Sequence, residues 1–180
     1  MRTEARGVTL LELVMSLAVV AILATIAVPG FNALRHGSER ATAVNSFVHA
    51  VFLARSEAIK RGQVVTICKS VDGQTCASRA AEWRSGWIVF VNGDRDDPPQ
   101  RDPGEPLLWT YAGWPRGHIV SNREAYSFRA YAQAGVNGTV VFCDPRGSAQ
   151  ARAVIISQTG RPRVARRDAS NKPLRCPAEQ

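Results

Sequence analysis

Along this chain the spacing of apolar residues changes twice. Residues 8–31 are almost continuously apolar, with Thr9, Glu12, Ser16 and Thr25 as the clearly polar side chains. Read as a helix rising about 1.5 Å per residue, this stretch spans roughly 36 Å, enough for a hydrocarbon core of about 30 Å with some tilt. Across 32–61, Val44, Phe47, Val48, Val51, Phe52, Ala58 and Ile59 recur at near three-and-four spacing. That pattern predicts an amphipathic helix whose apolar stripe packs on the protein's own sheet. Pro29-Gly30 is placed to bend or loosen the helix between these halves. Lys60 and Arg61 suit its C terminus, and Gly62 its cap.

Beyond residue 62 the period falls to two. Strands are predicted at 64–68, 86–91, 106–111, 118–121, 126–131, 139–143, 152–157 and 161–165, separated by clusters of Gly, Asn, Asp and Pro. The expected fold class is α+β: a long N-terminal helix, part membrane and part amphipathic, on an antiparallel β-sandwich-like domain. No internal repeat, low-complexity tract or second-domain boundary interrupts it. The least ordered parts should be 92–106 and the tail beyond residue 167.

A chain of 180 residues with 45% hydrophobic content fits one domain plus an appendage. Three readings compete for the appendage. A cleaved secretory signal needs a shorter apolar region and a small-residue cleavage site after it, but "ILATIAVPGFNAL" continues as helix-forming sequence. A plain single-span anchor leaves Glu12 unexplained, because a lone acid in the bilayer costs about 2.5–3.5 kcal/mol on insertion scales. A leader of the prepilin kind has a short basic stretch, a small residue for cleavage and then an apolar helix with a glutamate near its new end. It explains every feature.

The stretch "RGVTLLELVMSLAVV" with Pro29 downstream resembles the class III signal of type IV pilins and type II secretion pseudopilins. Val8 stands where phenylalanine or methionine is usual and keeps the apolar character. The resemblance implies a leader at 1–7, cleavage between Gly7 and Val8 by a prepilin peptidase, and methylation of the new Val8 amine. It also implies that Glu12 is needed for assembly. Electrostatics agrees: the amine of one subunit and the Glu12 carboxylate of its neighbour leave water as a pair, which helps fix the register between helices.

Arg2 and Arg6 precede the apolar run, and Arg35, Arg40, Arg55, Lys60 and Arg61 follow it. Counting these does not fix orientation, since large domains translocate regardless of charge. The cysteines bear on it instead. All four, Cys68, Cys76, Cys143 and Cys176, lie beyond the membrane segment, and an even number in an exported domain favours disulfides and an oxidising periplasm. Of three connectivities we favour Cys68–Cys76 and Cys143–Cys176, because "CKSVDGQTC" holds an Asp-Gly turn that brings its ends together. The longer bridge would tie down the C-terminal tail and stabilise the domain by about 3–4 kcal/mol in the loop-entropy account. A four-cysteine zinc site lacks the close CxxC pairs.

The blocks "VTICKSVDGQTC", "WRSGWIVFVNGDRD", "GEPLLW", "YSFRAYAQAGVNGTVVFCDPRG", "ARAVIISQTGRPRV" and "LRCP", in that order, resemble the GspH/FimT family of minor pilins and pseudopilins. The resemblance implies a structural subunit and not an enzyme, with no cofactor. It implies helix segments at 8–31 and 32–61 leading into a β-rich periplasmic pilin domain at 62–180. It also implies single-pass residence in the inner membrane before assembly and a place near a filament tip after it. The implied partners are other major and minor pilins or pseudopilins, the prepilin peptidase and an inner-membrane assembly platform.

The net charge is +8, and residues 150–180 carry seven Lys/Arg against Asp168 and Glu179. In "TGRPRV", Thr159-Gly160 makes a turn, and Arg161 and Arg163 then project to the same side of an extended strand. Pro162 denies a ladder donor, which argues for an edge. Paired guanidiniums suit phosphate and attract a polyanion with little regard to base sequence. The plainer alternative is a solvated basic rim or a contact with a neighbouring subunit. "GRPR" matches the Gly-Arg-x-Arg motif of FimT-like minor pilins implicated in DNA uptake. The resemblance therefore implies binding of double-stranded DNA through Gly160, Arg161 and Arg163, with Arg166, Arg167, Lys172 and Arg175 as supporting charges. The competing expectation is a secretion pseudopilin whose basic face touches partners without DNA.

The acidic loop "NGDRDD" loosely resembles a calcium site through Asn92, Asp94, Asp96 and Asp97. It lacks the spacing to a bidentate glutamate, so an ordinary turn is preferred. His36, His49 and His118 show neither metal-ligand spacing nor a matched nucleophile. Trp83, Trp87, Trp109 and Trp114 are assigned to core packing ahead of base stacking.

Overall fold

In the computed structural model, residues 7, 9–130 and 136–177 are described. Positions 1–6 of the expected leader, Val8, where cleavage and methylation are expected, and Tyr131 lie outside the described residues, as does the side chain of Pro29. Helix α1 (Leu10–Arg61) begins where Thr9 caps it, its Oγ1 accepting from the Glu12 amide at 3.3 Å. Thr9 and Glu12 have the spacing of a capping box. Helical backbone continues through Pro29 and Gly30. At the far end Gly62 adopts φ 67° and donates to the Ala58 carbonyl at 3.0 Å, closing the last turn as a left-handed cap.

The chain divides into two compact units, one ending at Ser38 and one beginning at Glu39, with α1 crossing the division. In the first, Leu10, Leu11, Met15, Leu17, Val20, Ile22 and Leu23 are all exposed. By length and composition this part of α1 is apolar enough to cross a membrane.

In the second unit the expected strands form with small boundary shifts: β1 (Val64–Lys69), β2 (Trp87–Asn92), β3 (Leu107–Tyr111), β4 (His118–Ser121), β5 (Ala125–Phe128), β6 (Gly138–Cys143), β7 (Arg152–Ile156) and β8 (Pro162–Ala165). They make two four-stranded antiparallel sheets, ordered β3-β2-β1-β5 and β4-β6-β7-β8. Strand β5 ends at Phe128, short of its expected end, and β7 stops at Ile156 because Ser157 already belongs to the following turn.

Phe47 of α1 joins the two sheets. Its ring meets Trp87, Trp83, Tyr126 and Phe142 edge-on at centroid distances of 5.4, 5.8, 5.8 and 6.0 Å. Edge-to-face geometry of this kind adds to the burial of each ring. The helix stripe that packs here differs from the expected one. Phe52 and Ile59 stay 52% and 56% exposed, while Ala43, Ala50, Ala54 and Ala58 are buried with Val44, Phe47 and Val51. Small side chains let the helix approach both sheets closely, so the larger apolar residues fall on its flank. Three tryptophans are buried in the core, and Trp109 is half-buried against it.

The outer face of each sheet carries one disulfide. Cys68–Cys76 packs with Ile88 and Phe90. Cys143–Cys176 joins the end of β6 to the tail, where Leu174 is buried against Ala151, Ala153 and Ile155. The 92–106 loop has no strand of its own between β2 and β3, yet it is tied internally. Glu105 accepts from the amides of Gly93 and Asp102 at 2.6 and 3.1 Å, and Arg101 reaches the Gln74 carbonyl at 3.1 Å.

Candidate nucleic-acid interface

The basic residues near the C terminus are organised by the β7–β8 hairpin. Ser157 builds its turn: the Ser157 amide donates to the Arg161 carbonyl at 3.0 Å, its carbonyl accepts from Gly160 at 2.9 Å, and its Oγ accepts from the Arg161 amide at 3.2 Å. Gly160 has φ 73°, and a Cβ there would lie 3.3 Å from the Phe128 ring. The glycine of "GRPR" is therefore a buried turn-former.

Strand β8 is the free edge of its sheet. Arg163 pairs with Ile155, whose side chain packs beneath the tail on the face away from α1. Alternation carries Arg161 to the same side, and both are exposed. Arg163, Arg166 and Arg167 line a shallow cleft of about 330 Å³ together with Asp168. Asp168 is occupied locally, its Oδ1 accepting from the amides of Ser170 and Lys172 at 2.8 Å each. Arg167 donates to the Asn171 carbonyl at 3.0 Å and bridges to Pro173. Lys172 and Arg175 line a neighbouring hollow with Leu174 and Val141. Of the residues singled out in the sequence, Arg163, Arg166 and Arg167 come together and Arg161 extends their line, while Lys172 sits in an adjacent depression.

A second basic group escaped the sequence reading. The Asp144 carboxylate, fully buried, accepts from Arg40 at 2.5 Å and from the Arg146 amide, Nε and Nη2 at 3.0, 3.1 and 2.6 Å. Burial pushes this carboxyl up, but the bonds from Arg146 and the charges of Arg40 and Arg146 outweigh it and hold it below the ordinary range. Arg152 lies beside them, its Nη1 fixed by the carbonyls of Gln150 and Ala151 at 3.0 and 2.8 Å. The signal was present in "CDPRG": an Asp-Pro turn followed by arginine, placed just after a cysteine that anchors the strand.

The remaining candidates are quieter. Asp96 accepts from the Asn92 side-chain amide at 2.9 Å and the Gln100 amide at 2.7 Å, the pattern of a hydrogen-bonded turn. Among the described residues no three His, Cys, Asp or Glu side chains lie close enough to hold a metal ion. His49 stands edge-on to Trp109 at 5.1 Å. A cavity of about 810 Å³ beside β5 contains Lys69, which is buried and bonds Glu124 at 2.5 Å and the Arg79 carbonyl at 2.9 Å. At the other end of the chain, Gly7 and Glu12 are exposed.

Residues 43–160 match the family described as type II transport protein GspH, and residues 2–28 match the prokaryotic N-terminal methylation motif. The chain is similar to the pilin-like protein PilA1 of Thermus thermophilus, at 29% identity over 169 residues that cover 88% of this chain and 97% of the relative. It is also similar to two crystal structures of the type IV minor pilin FimU of Pseudomonas aeruginosa (strain PAO1), with a TM-score of 0.53 for each. Identity is 20% and 19%, covering 77% and 75% of this chain and 96% and 98% of FimU. At that identity the likeness shows the fold.

Proposed function

Because the chain belongs to the GspH family, whose members are structural pilin-like subunits, we propose that it is a minor pilin that presents a basic edge to double-stranded DNA near the tip of a type IV pilus-like filament. Its N-terminal methylation motif goes with prepilin processing and assembly with other pilins. In this reading residues 8–31 anchor the subunit once in the inner membrane, with the β-rich domain in the periplasm, until an assembly platform draws it into the filament. Cleavage falls after Gly7, the Val8 amine is methylated, and Glu12 neutralises the corresponding amine of a neighbour. Natural transformation is the process such a subunit would serve.

The observation that carries the DNA reading is the exposure of Arg161 and Arg163 on one side of a free edge strand. Gly160 sets the turn that places them. Arg166, Arg167 and Lys172 add charge along the same edge. Nothing in that arrangement reads bases; it suits a phosphate backbone.

The test is electrophoretic mobility of a short duplex with the full chain in neutral detergent. Binding should weaken steeply with salt, log K falling by about 0.9 per log unit of salt for each phosphate contact. Absence of binding at low salt, or unchanged binding by the Arg161→Ala/Arg163→Ala variant, refutes it. The pseudopilin alternative, in which this edge docks partner subunits, would then stand.

A further inference from the structure

Arginines flank β8 on two sides: the reading above uses Arg161 and Arg163 on one, with Arg166 in the bend just past the strand, and leaves Arg152 on the other unused. Arg152 pairs with Phe142 in the β6–β7 register, and Phe142 meets Phe47 of α1, so Arg152 lies on the side of the sheet that faces the helix. The last β7–β8 pair is Ala153–Ala165; Arg166 follows it in a bend, close enough for its charge to act on Arg152. Like charges this close repel. Beside them Arg40 and Arg146 converge on Asp144. Two guanidiniums thus hold one carboxylate, with Arg152 beside them and Arg166 acting on Arg152.

Burial first, and then the charges of Arg40 and Arg166, hold Arg152 below its ordinary value. A solvated rim would not crowd its cations in this way; an anion between them relieves the repulsion. The guanidinium of Arg152 is also pre-oriented by its two carbonyl partners, so little side-chain freedom remains to be lost on binding.

We propose that Arg152 and Arg166, backed by Arg40, Asp144 and Arg146, form a second phosphate seat on the α1 side of β8, so that a DNA duplex is gripped from both faces of this edge strand. The proposal rests on the DNA reading and adds the geometry of docking. A two-stranded β-ribbon such as β7–β8 enters a major groove of about 12 Å but not a minor groove of about 6 Å. Edge-on insertion then directs Arg161 and Arg163 to the phosphates of one rim and Arg152 and Arg166 to those of the other.

The experiment is a salt titration of duplex affinity with the full chain in neutral detergent, each variant first matched to the parent in thermal unfolding. Arg152→Gln/Arg166→Gln should flatten the slope of log K against log salt by about 1.8, and Arg152→Gln alone, which only a second seat predicts to matter, by about 0.9. Arg79→Gln/Arg95→Gln, which removes equal charge from surface loops adjoining the other sheet, should leave the slope unchanged. If Arg152→Gln leaves the slope unchanged while Arg161→Ala/Arg163→Ala weakens binding, DNA touches one face and the second seat is refuted. If Arg161→Ala/Arg163→Ala has no effect either, the DNA reading falls with it.

Discussion

Replacing Asp144 by alanine should be among the most damaging single changes in the β-rich unit. The carboxylate has no exposed surface and accepts four hydrogen bonds, one from Arg40 and three from Arg146. Arg146 is 30% exposed and turns to solvent at small cost, but the Arg40 side chain is 11% exposed and is left as a nearly buried cation without its partner. Breaking a buried pair from one side costs about 3–5 kcal/mol. For a unit of this size that corresponds to a fall in Tm of roughly 6–20 °C. Thermal unfolding followed by near-ultraviolet circular dichroism, which reads the packed tryptophans, measures it. The pH dependence gives a second check. The Asp144 pKa is lowered on folding from an ordinary value of 3.8, so its contribution is complete above that value and is lost as pH falls through the lower native one. The gap between parent and Asp144→Ala should therefore be widest at pH 7 and begin to close only below about pH 4. Asp144→Leu combined with Arg40→Met, which removes both charges, should recover much of the loss. A loss under about 1 kcal/mol, with a gap that ignores pH, would refute the assignment of Asp144 as the charged tie between α1 and the second sheet.

Three further outcomes can be measured. Cys143→Ser/Cys176→Ser opens a loop of 33 residues' separation and should cost about 4 kcal/mol in denaturant unfolding by the loop-entropy account; an unchanged midpoint would mean that buried Leu174 holds the tail unaided. Gly160→Ala forces a side chain into a left-handed conformation and against Phe128, and should cost about 1–2 kcal/mol and weaken DNA binding by displacing Arg161 and Arg163; full stability would contradict the turn geometry. Glu12→Ala should leave membrane insertion intact while removing the subunit from purified filaments, and normal co-purification would refute an assembly role for the carboxylate.

Much of the fold was legible because the signals are local. β-branched and aromatic runs broken by Gly, Asn, Asp and Pro located all eight strands, and Pro162 marked β8 as an edge. The helix stripe was less legible: Val44, Phe47, Val51 and Ala58 are in the contact as expected, but Phe52 and Ile59, which also fit a three-and-four pattern, are exposed, and Ala43, Ala50 and Ala54 are buried in it instead. A hydrophobicity pattern weights large residues, whereas a close helix–sheet approach selects small ones. The candidate site divided along the same line. Arg161 and Arg163 were readable from strand alternation, a property of neighbouring residues. Arg40, Asp144 and Arg152 were not, because they meet only once α1, the end of β6 and the start of β7 pack together. The Thr9 cap is legible in its spacing to Glu12, the pattern of a capping box.

The bond between Cys143 and Cys176 also has a mechanical meaning. It closes a covalent ring that contains β7, β8 and Arg152, Arg161, Arg163, Arg166, Arg167, Lys172 and Arg175. A pull on any of these side chains is a pull inside the ring, shared between the hydrogen-bonded ladder and the sulfur link at the end of β6. Should β8 peel from β7 under tension, the gripping residues would remain tethered within a loop of fixed length, free to reseat when the load drops.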